Sequence, residues 1–199
     1  MAPIGDYLMS DANSEISLAR SAAPAPISDH AQVMVLRRAG YATAVEGSNG
    51  FLCLVERAWG AQTGDPEFWN ARIRSPICFN PVAAKSFAPI YLFKTRLVMA
   101  GKSRVQIAAA LPPAFDEKAL PPLEPRAMCY MMSKAQNLND EDRSWAPHLM
   151  FFSPGDAAKS WGANLPGSPV IAADDPEERA TIFMVPVRTW SDGSPRAFP

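Results

Sequence analysis

Twenty prolines are spread through 199 residues, about twice the ordinary share of ~5%. They set the grain of any fold this chain can adopt. Each proline removes a backbone donor and fixes φ, so it ends, kinks or borders regular structure. The prolines are scattered and follow no repeat, which implies many short elements joined by fixed loops rather than a polyproline ligand. A folded core is nonetheless expected. Hydrophobic residues make up 48% and charged residues 20%, within the globular range. A chain of this length buries roughly 70% of the surface its unfolded form exposes. The expected organisation is one domain over residues 1–199 with a mobile tail after Trp190.

Local signals divide the chain further. Ser10 and Asp11 are N-cap residues ahead of Ile16, Leu18 and Ala19, which predicts a helix over about 11–22, ended by Pro24 and Pro26. Val33–Leu36 reads as a strand and Ala39-Gly40 as a turn. Tyr41, Thr43 and Val45 form a second strand, Gly47-Ser48-Asn49-Gly50 a tight turn, and Phe51–Glu56 a third strand. Together they predict an antiparallel meander. Residues 59–76 read as an ordered loop whose Trp59 and Trp69 fold back onto the core. Asn80-Pro81 opens a long helix that breaks or kinks at Pro89 and ends near Gly101. Ser103 and Gln106 have capping-box spacing and start a short helix closed by Pro112-Pro113. After a proline-rich connector, strand-like runs follow at 127–133, 148–153 and 181–187. The expected fold class is α+β: an antiparallel sheet of about five to six strands, beginning with the meander and covered by the central helices.

Composition narrows the partners. A net charge of −1 supplies no basic groove, so nucleic acid is not an expected partner. No run approaches the ~18 apolar residues of a membrane span. The N-terminal Met-Ala-Pro-Ile-Gly-Asp has neither the basic nor the apolar region of a signal peptide. Two readings stay open: a cytoplasmic protein, or a mature exported chain whose leader a starting Met has replaced. The three cysteines also allow two readings. All are free buried thiols, or Cys53 and Cys78 are bridged with Cys129 free, which requires an oxidising compartment.

Chemistry-bearing residues are few. His30 sits in a polar context and reads as a surface residue. His148 stands at the mouth of a predicted strand, where an imidazole that titrates near neutrality can line a cleft. Neither histidine has a ligand neighbour at metal-binding spacing, so no metal and no cofactor is expected. The acidic runs Asp140-Glu141-Asp142 and Asp174–Glu178 read as solvated turns. Met128, Met131 and Met132 read as core. No nucleophile elbow, phosphate loop or dinucleotide fingerprint occurs. Tyr130, Trp145 and Trp161, large aromatics beside strand ends and Gly/Pro loops, are candidates with His148 for a small-molecule pocket. Cys129 and His148 are the alternative, a thiolate–imidazole pair for hydrolysis.

Several of these segments resemble those of a group of uncharacterised bacterial proteins, many of them exported. The likeness is carried by Glu15-Ile16-Ser17-Leu18-Ala19-Arg20-Ser21-Ala22-Ala23-Pro24, by Gly47-Ser48-Asn49-Gly50-Phe51-Leu52-Cys53-Leu54-Val55-Glu56-Arg57 and by Pro76-Ile77-Cys78. It extends through Met128–Met132 and His148–Phe152. The resemblance implies no activity. It implies a periplasmic or secreted protein, and with it the Cys53–Cys78 bridge. The resulting expectation is an exported domain that binds a small molecule or a protein partner without catalysis, the alternative being a thiol- or His-dependent hydrolase.

Overall fold

A computed structural model of the chain describes residues 1–141 and 145–196. Three short helices come first: α1 (Ile4–Tyr7), α2 (Ala12–Arg20) and α3 (Ala25–Ser28). Strands β1 (Gln32–Arg37), β2 (Gly40–Val45) and β3 (Leu52–Glu56) follow, then a 3-10 turn over Ala58–Gly60 and β4 (Ser75–Phe79). Helices α4 (Pro81–Ser86), α5 (Ala88–Met99) and α6 (Arg104–Asp116) occupy the middle of the chain. Strands β5 (Met128–Met131) and β6 (His148–Pro154), a second 3-10 turn over Ala158–Trp161, and the hairpin of β7 (Ile171–Asp175) and β8 (Ala180–Pro186) complete it. The described strands make one eight-stranded sheet in the order β2-β1-β3-β4-β5-β6-β8-β7. Every neighbouring pair is antiparallel except β1 and β3.

The caps read from sequence are in place. Asp11 accepts the Ser14 N–H at 2.8 Å to start α2, and Asn80 accepts the Ala83 N–H at 2.8 Å to start α4. Ser103 and Gln106 form the full capping box of α6. The chain breaks between α4 and α5 at Phe87. Pro89 then falls in the first turn of α5, where no intrahelical donor is missed. Three expectations are corrected. First, α6 does not stop at Pro112-Pro113 but runs to Asp116. The carbonyls that lose a donor belong to Ala108 and Ala109, which are half-buried and exposed, so water can complete them.

Second, there is no opening meander. β1 and β2 form the expected hairpin, but β3 pairs with β1, in parallel, through Gln32↔Leu52 and Val33↔Cys53. Gly47–Gly50 is therefore a crossover rather than a hairpin turn. It is pressed onto the start of β1, with Ser48 N–H donating to His30 O at 2.8 Å and Asn49 Nδ2 to Ile27 O at 2.8 Å. A Cβ on Gly47 would stand 2.1 Å from the Gln32 nitrogen, so only glycine permits the crossing.

Third, the sheet has eight strands, two more than the upper expectation. The additions are β4 and β7. β4 contains Pro76, a residue usually confined to sheet edges. It is tolerated because Cys53 and Cys78, with Cα atoms 4.0 Å apart, form a close pair on the β3–β4 ladder. Such narrow pairs are the non-hydrogen-bonded ones, and Val55↔Pro76, two residues on, is another. The missing N–H faces β5, whose pairing with β4 covers only Cys78 and Phe79.

The sheet carries a different load on each face. Against one face lie α4, α5 and α6 over the main core, which includes Leu54, Ile77, Phe79, Ile90, Val98, Ile107 and Leu111. Against the other lies α2, whose Ala19, with Ala22, Ala23 and Ala31, packs on Val33, Val55, Cys53 and Cys78. The two cysteines form a disulfide beneath that helix. At the far end the sheet curls over the helical face. Gln62 Nε2 donates to Asp174 O at 2.9 Å, and Thr63 Oγ1 to Glu177 Oε2 at 2.5 Å, tying the loop after Gly60 to the β7–β8 turn. Beyond β8, the Trp190 N–H donates to Ser194 O and the Ser191 N–H to Met132 O, both at 2.9 Å. No helix among the described residues is long and apolar enough to cross a membrane.

Candidate functional site

The curl leaves a cavity of about 380 Å³ between the sheet and α5, a size typical of small-molecule sites. Its walls are largely apolar: Phe87, Met131, Met150, Phe152, Ile182 and Met184, with Trp145 and Leu138 at one end. The strand register explains the convergence. Met131 pairs with His148, Met150 with Met184 and Phe152 with Ile182, so these alternate residues share the helix-covered face. Glu56, opposite Ser75 at the ends of β3 and β4, shares it too. Glu56 and His148 have strands β4 and β5 between them, so they rise from backbones about 14 Å apart at ~4.8 Å per strand.

Charged groups gather at the β3 end. Lys94 from α5 donates to Glu178 Oε1 at 2.7 Å and to Ala61 O at 2.7 Å, with side chains only 1% and 5% exposed in the ion pair. Asp175 receives the Glu178 N–H at 3.0 Å, and Asp65 the Glu67 N–H at 2.7 Å. Glu56 stands apart from this scheme. Its carboxyl lines the cavity, accepts no hydrogen bond from a described residue, and lies against Gly60, where a Cβ would come within 2.8 Å of Oε2. Burial is the main force raising its pKa, to about 8; nearby Glu178 adds to the rise and Lys94 opposes it. Glu56 therefore holds a proton at neutral pH. Burial likewise pushes Glu178 up, against the pull of Lys94.

At the other end, His148 Nδ1 lies 2.8 Å from Ala146 O. A carbonyl only accepts, so Nδ1 carries the hydrogen. Burial pushes the ring pKa down, and the neutral imidazole then keeps a lone pair on Nε2. The Trp145 ring packs edge-on against it, centroids 4.7 Å apart. Tyr91 lines the cavity as well, but its hydroxyl is committed. It accepts the Arg57 N–H at 2.8 Å and bonds the Tyr41 hydroxyl at 2.8 Å, while Tyr41 donates its own hydrogen to Val55 O.

Of the four pocket candidates chosen from sequence, Trp145 and His148 meet at this cavity. Tyr130 does not line it: its ring packs beside Phe51 with the disulfide-side core, at a centroid distance of 6.4 Å. Trp161, 52% exposed, stacks on Phe183 at 4.2 Å in a small satellite cluster. Cys129 is free and fully buried, and burial raises its thiol well above the ordinary range. His148 pairs in register with Met131, one β5 residue-pair beyond the Cys129 face position, and Cys129 itself is not among the lining residues. The acidic run 174–178, read as a solvated turn, is corrected: Asp175 and Glu178 are buried and border the cavity. The other acidic run includes residue 142, which lies outside the described residues.

Sequence reasoning missed Glu56, Lys94, Asp175 and Glu178. Only Lys94 left a signal: a lysine directly after the apolar run Ile90–Phe93 marks a charge that needs a partner if buried. Among the described residues, no group of three or more His, Cys, Asp or Glu is placed to hold a metal ion. A second hollow of about 630 Å³ lies beneath the connector, walled by Phe115, Leu120, Pro121, Pro122 and Leu123. Compared with known proteins, the chain matches no family model, no curated protein and no solved structure.

Proposed function

We propose that this chain binds a small, largely apolar molecule in the cavity between the curled sheet and α5. The observation that carries the reading is Glu56, a carboxyl with no hydrogen-bond partner among the described residues, which faces a cavity of largely apolar lining. A ligand that bonds to Glu56, which is half-buried, gains a polar contact that no described residue supplies while burying its own apolar surface. His148 Nε2 offers a second polar contact at the opposite end. Export is part of the same proposal, supported by the Cys53–Cys78 disulfide, which is consistent with an oxidising compartment.

The test is titration with a neutral apolar fluorophore, N-phenyl-1-naphthylamine. One saturable site is expected, abolished by Ala173→Trp, which fills the cavity wall, and kept by Trp161→Ala, whose ring lies elsewhere. Equal loss in both variants, or no binding in the parent, would remove the reading. A His148-based hydrolysis is the second reading, favoured by the free Nε2 lone pair of a neutral imidazole. Ester turnover that disappears in His148→Ala would establish it, and Cys129→Ala would leave such turnover unchanged.

A further inference from the structure

The polar side chains around the cavity are not balanced in charge. Among the described residues, Glu56, Asp65, Asp175 and Glu178 line it, whereas no lysine or arginine does. The nearest ammonium, Lys94, is already held by Glu178 and the Ala61 carbonyl. Asp65 and Asp175 each hold a backbone N–H of their own turn, which leaves Glu56 as the carboxyl over. Leaving Glu56 aside, the carboxyl groups of Asp65, Asp175 and Glu178 face one ammonium among the described residues. The cavity is also lined by the rings of Phe87, Tyr91, Trp145 and Phe152, of which Phe87 and Phe152 stack on each other at 3.7 Å, and open aromatic faces attract cations.

We propose that the ligand is an organic cation, an amine or quaternary ammonium on an apolar body, with Glu56 meeting its charge; this rests on the cavity being a ligand site. An anion would enter a field of its own sign. A neutral molecule would gain nothing from the surplus of carboxylates. A cation is attracted in either protonation state of Glu56 and gains an ion pair once that group ionises.

The pairing also sets a direction for pH. Free Glu56 holds its proton up to about pH 8, and a cation beside it favours the carboxylate, so binding near pH 7 releases a proton. The groups facing Glu56 are Lys94 and Tyr91 from α5, Glu178 from the β7–β8 turn and Asp175 from β7. Asp65 from the loop after Gly60, Cys129 from β5, Tyr41 from β2 and His148 at the far end complete the set. Tyr41, Tyr91 and Cys129 are pushed up and His148 down, so these four keep one charge state between pH 7 and 9.

The experiment is calorimetric titration of the full chain with octyltrimethylammonium, octanol and octanoate, which share a tail and differ in head group. The quaternary ion keeps its charge at every pH. It is expected to bind at least tenfold tighter than octanol, with octanoate weakest. Its affinity should rise about tenfold from pH 7 to pH 9, with release of about one proton at pH 7 seen by comparing buffers of different ionisation enthalpy. Glu56→Gln should erase both the head-group preference and the pH dependence while octanol still binds. Should that variant not fold, the parent protein's pH dependence decides. Octanol binding as tightly as the cation, or a cation affinity flat across this range, overturns the proposal and leaves the cavity reading standing. If none of the three binds and the neutral fluorophore also fails, the cavity reading falls and this inference with it.

Discussion

Glu15 is buried and Glu56 half-buried, both near the same strand, yet the fold treats them in opposite ways. On the α2 side, Glu15 accepts Arg57 Nη2 at 2.9 Å and the Leu36 N–H at 3.1 Å, with the two side chains 2% and 0% exposed. Arg57 spends its other donors on Tyr7 O at 2.7 Å and on Val55 O. On the helical side, Glu56, the residue next to Arg57 in the chain, lines the cavity and has no hydrogen-bond partner among the described residues. The sealed face gives its buried carboxylate an ion-pair partner and a backbone donor. The open face lacks that partner, and burial raises Glu56 to about 8. One face is built for stability; the other leaves a valence for something else.

The largest expected effect breaks the sealed side. Glu15→Ala strands the Arg57 guanidinium in the core and should cost about 3–5 kcal/mol in urea denaturation. A loss below about 1 kcal/mol would mean that the pair is not the lock described. Next comes the disulfide beneath the same helix, which closes a separation of 25 residues. The double variant Cys53→Ala, Cys78→Ala should lose about 3.5 kcal/mol by the chain-entropy relation, measured the same way under oxidising conditions.

The smallest effect has the opposite sign and sharpens the contrast. Native Glu56 keeps its proton to about pH 8, whereas in the unfolded chain it releases it near the ordinary value of about 4.3. Between those values the native state binds more protons, so this group's contribution to stability falls as pH rises and levels off above 8. Glu56→Gln should remove that slope and stabilise the protein at pH 7 by roughly 2 kcal/mol, discounting for partial access to solvent at ~1.4 kcal/mol per pH unit. A variant no more stable than its parent, with the slope intact, would place the titration elsewhere.

How much of this was legible in sequence depends on how far each determinant reaches along the chain. Asp11, Asn80-Pro81, Pro89 and Ser103 with Gln106 act within one helical turn, and each produced the element expected of it. β4 escaped because all five of its residues are buried, so it shows no alternation, and because Pro76 argued against a strand. β7, Ile-Ala-Ala-Asp-Asp, has little intrinsic strand preference and is held by pairing with β8. The crossover at Gly47–Gly50 looked like a hairpin turn because Asn-Gly specifies a local bend and says nothing about which strand receives the next one. The site divides in the same manner. Trp145 and His148 stand three residues apart at a strand mouth, visible as a local cluster. Glu56 looks like an ordinary polar strand end, and its isolation follows from Lys94 pairing with Glu178, 84 residues further along the chain.

The central claim, that the helical face presents to a largely apolar cavity a carboxyl with no hydrogen-bond partner among the described residues, is tested most directly by a carboxyl-carbon NMR titration of Glu56 in the ligand-free protein. A midpoint near pH 8, falling below about 6 when octyltrimethylammonium is bound, is the expected result. A free-protein midpoint near the ordinary value of about 4.3 would mean that Glu56 is solvated or already paired, and would contradict the account.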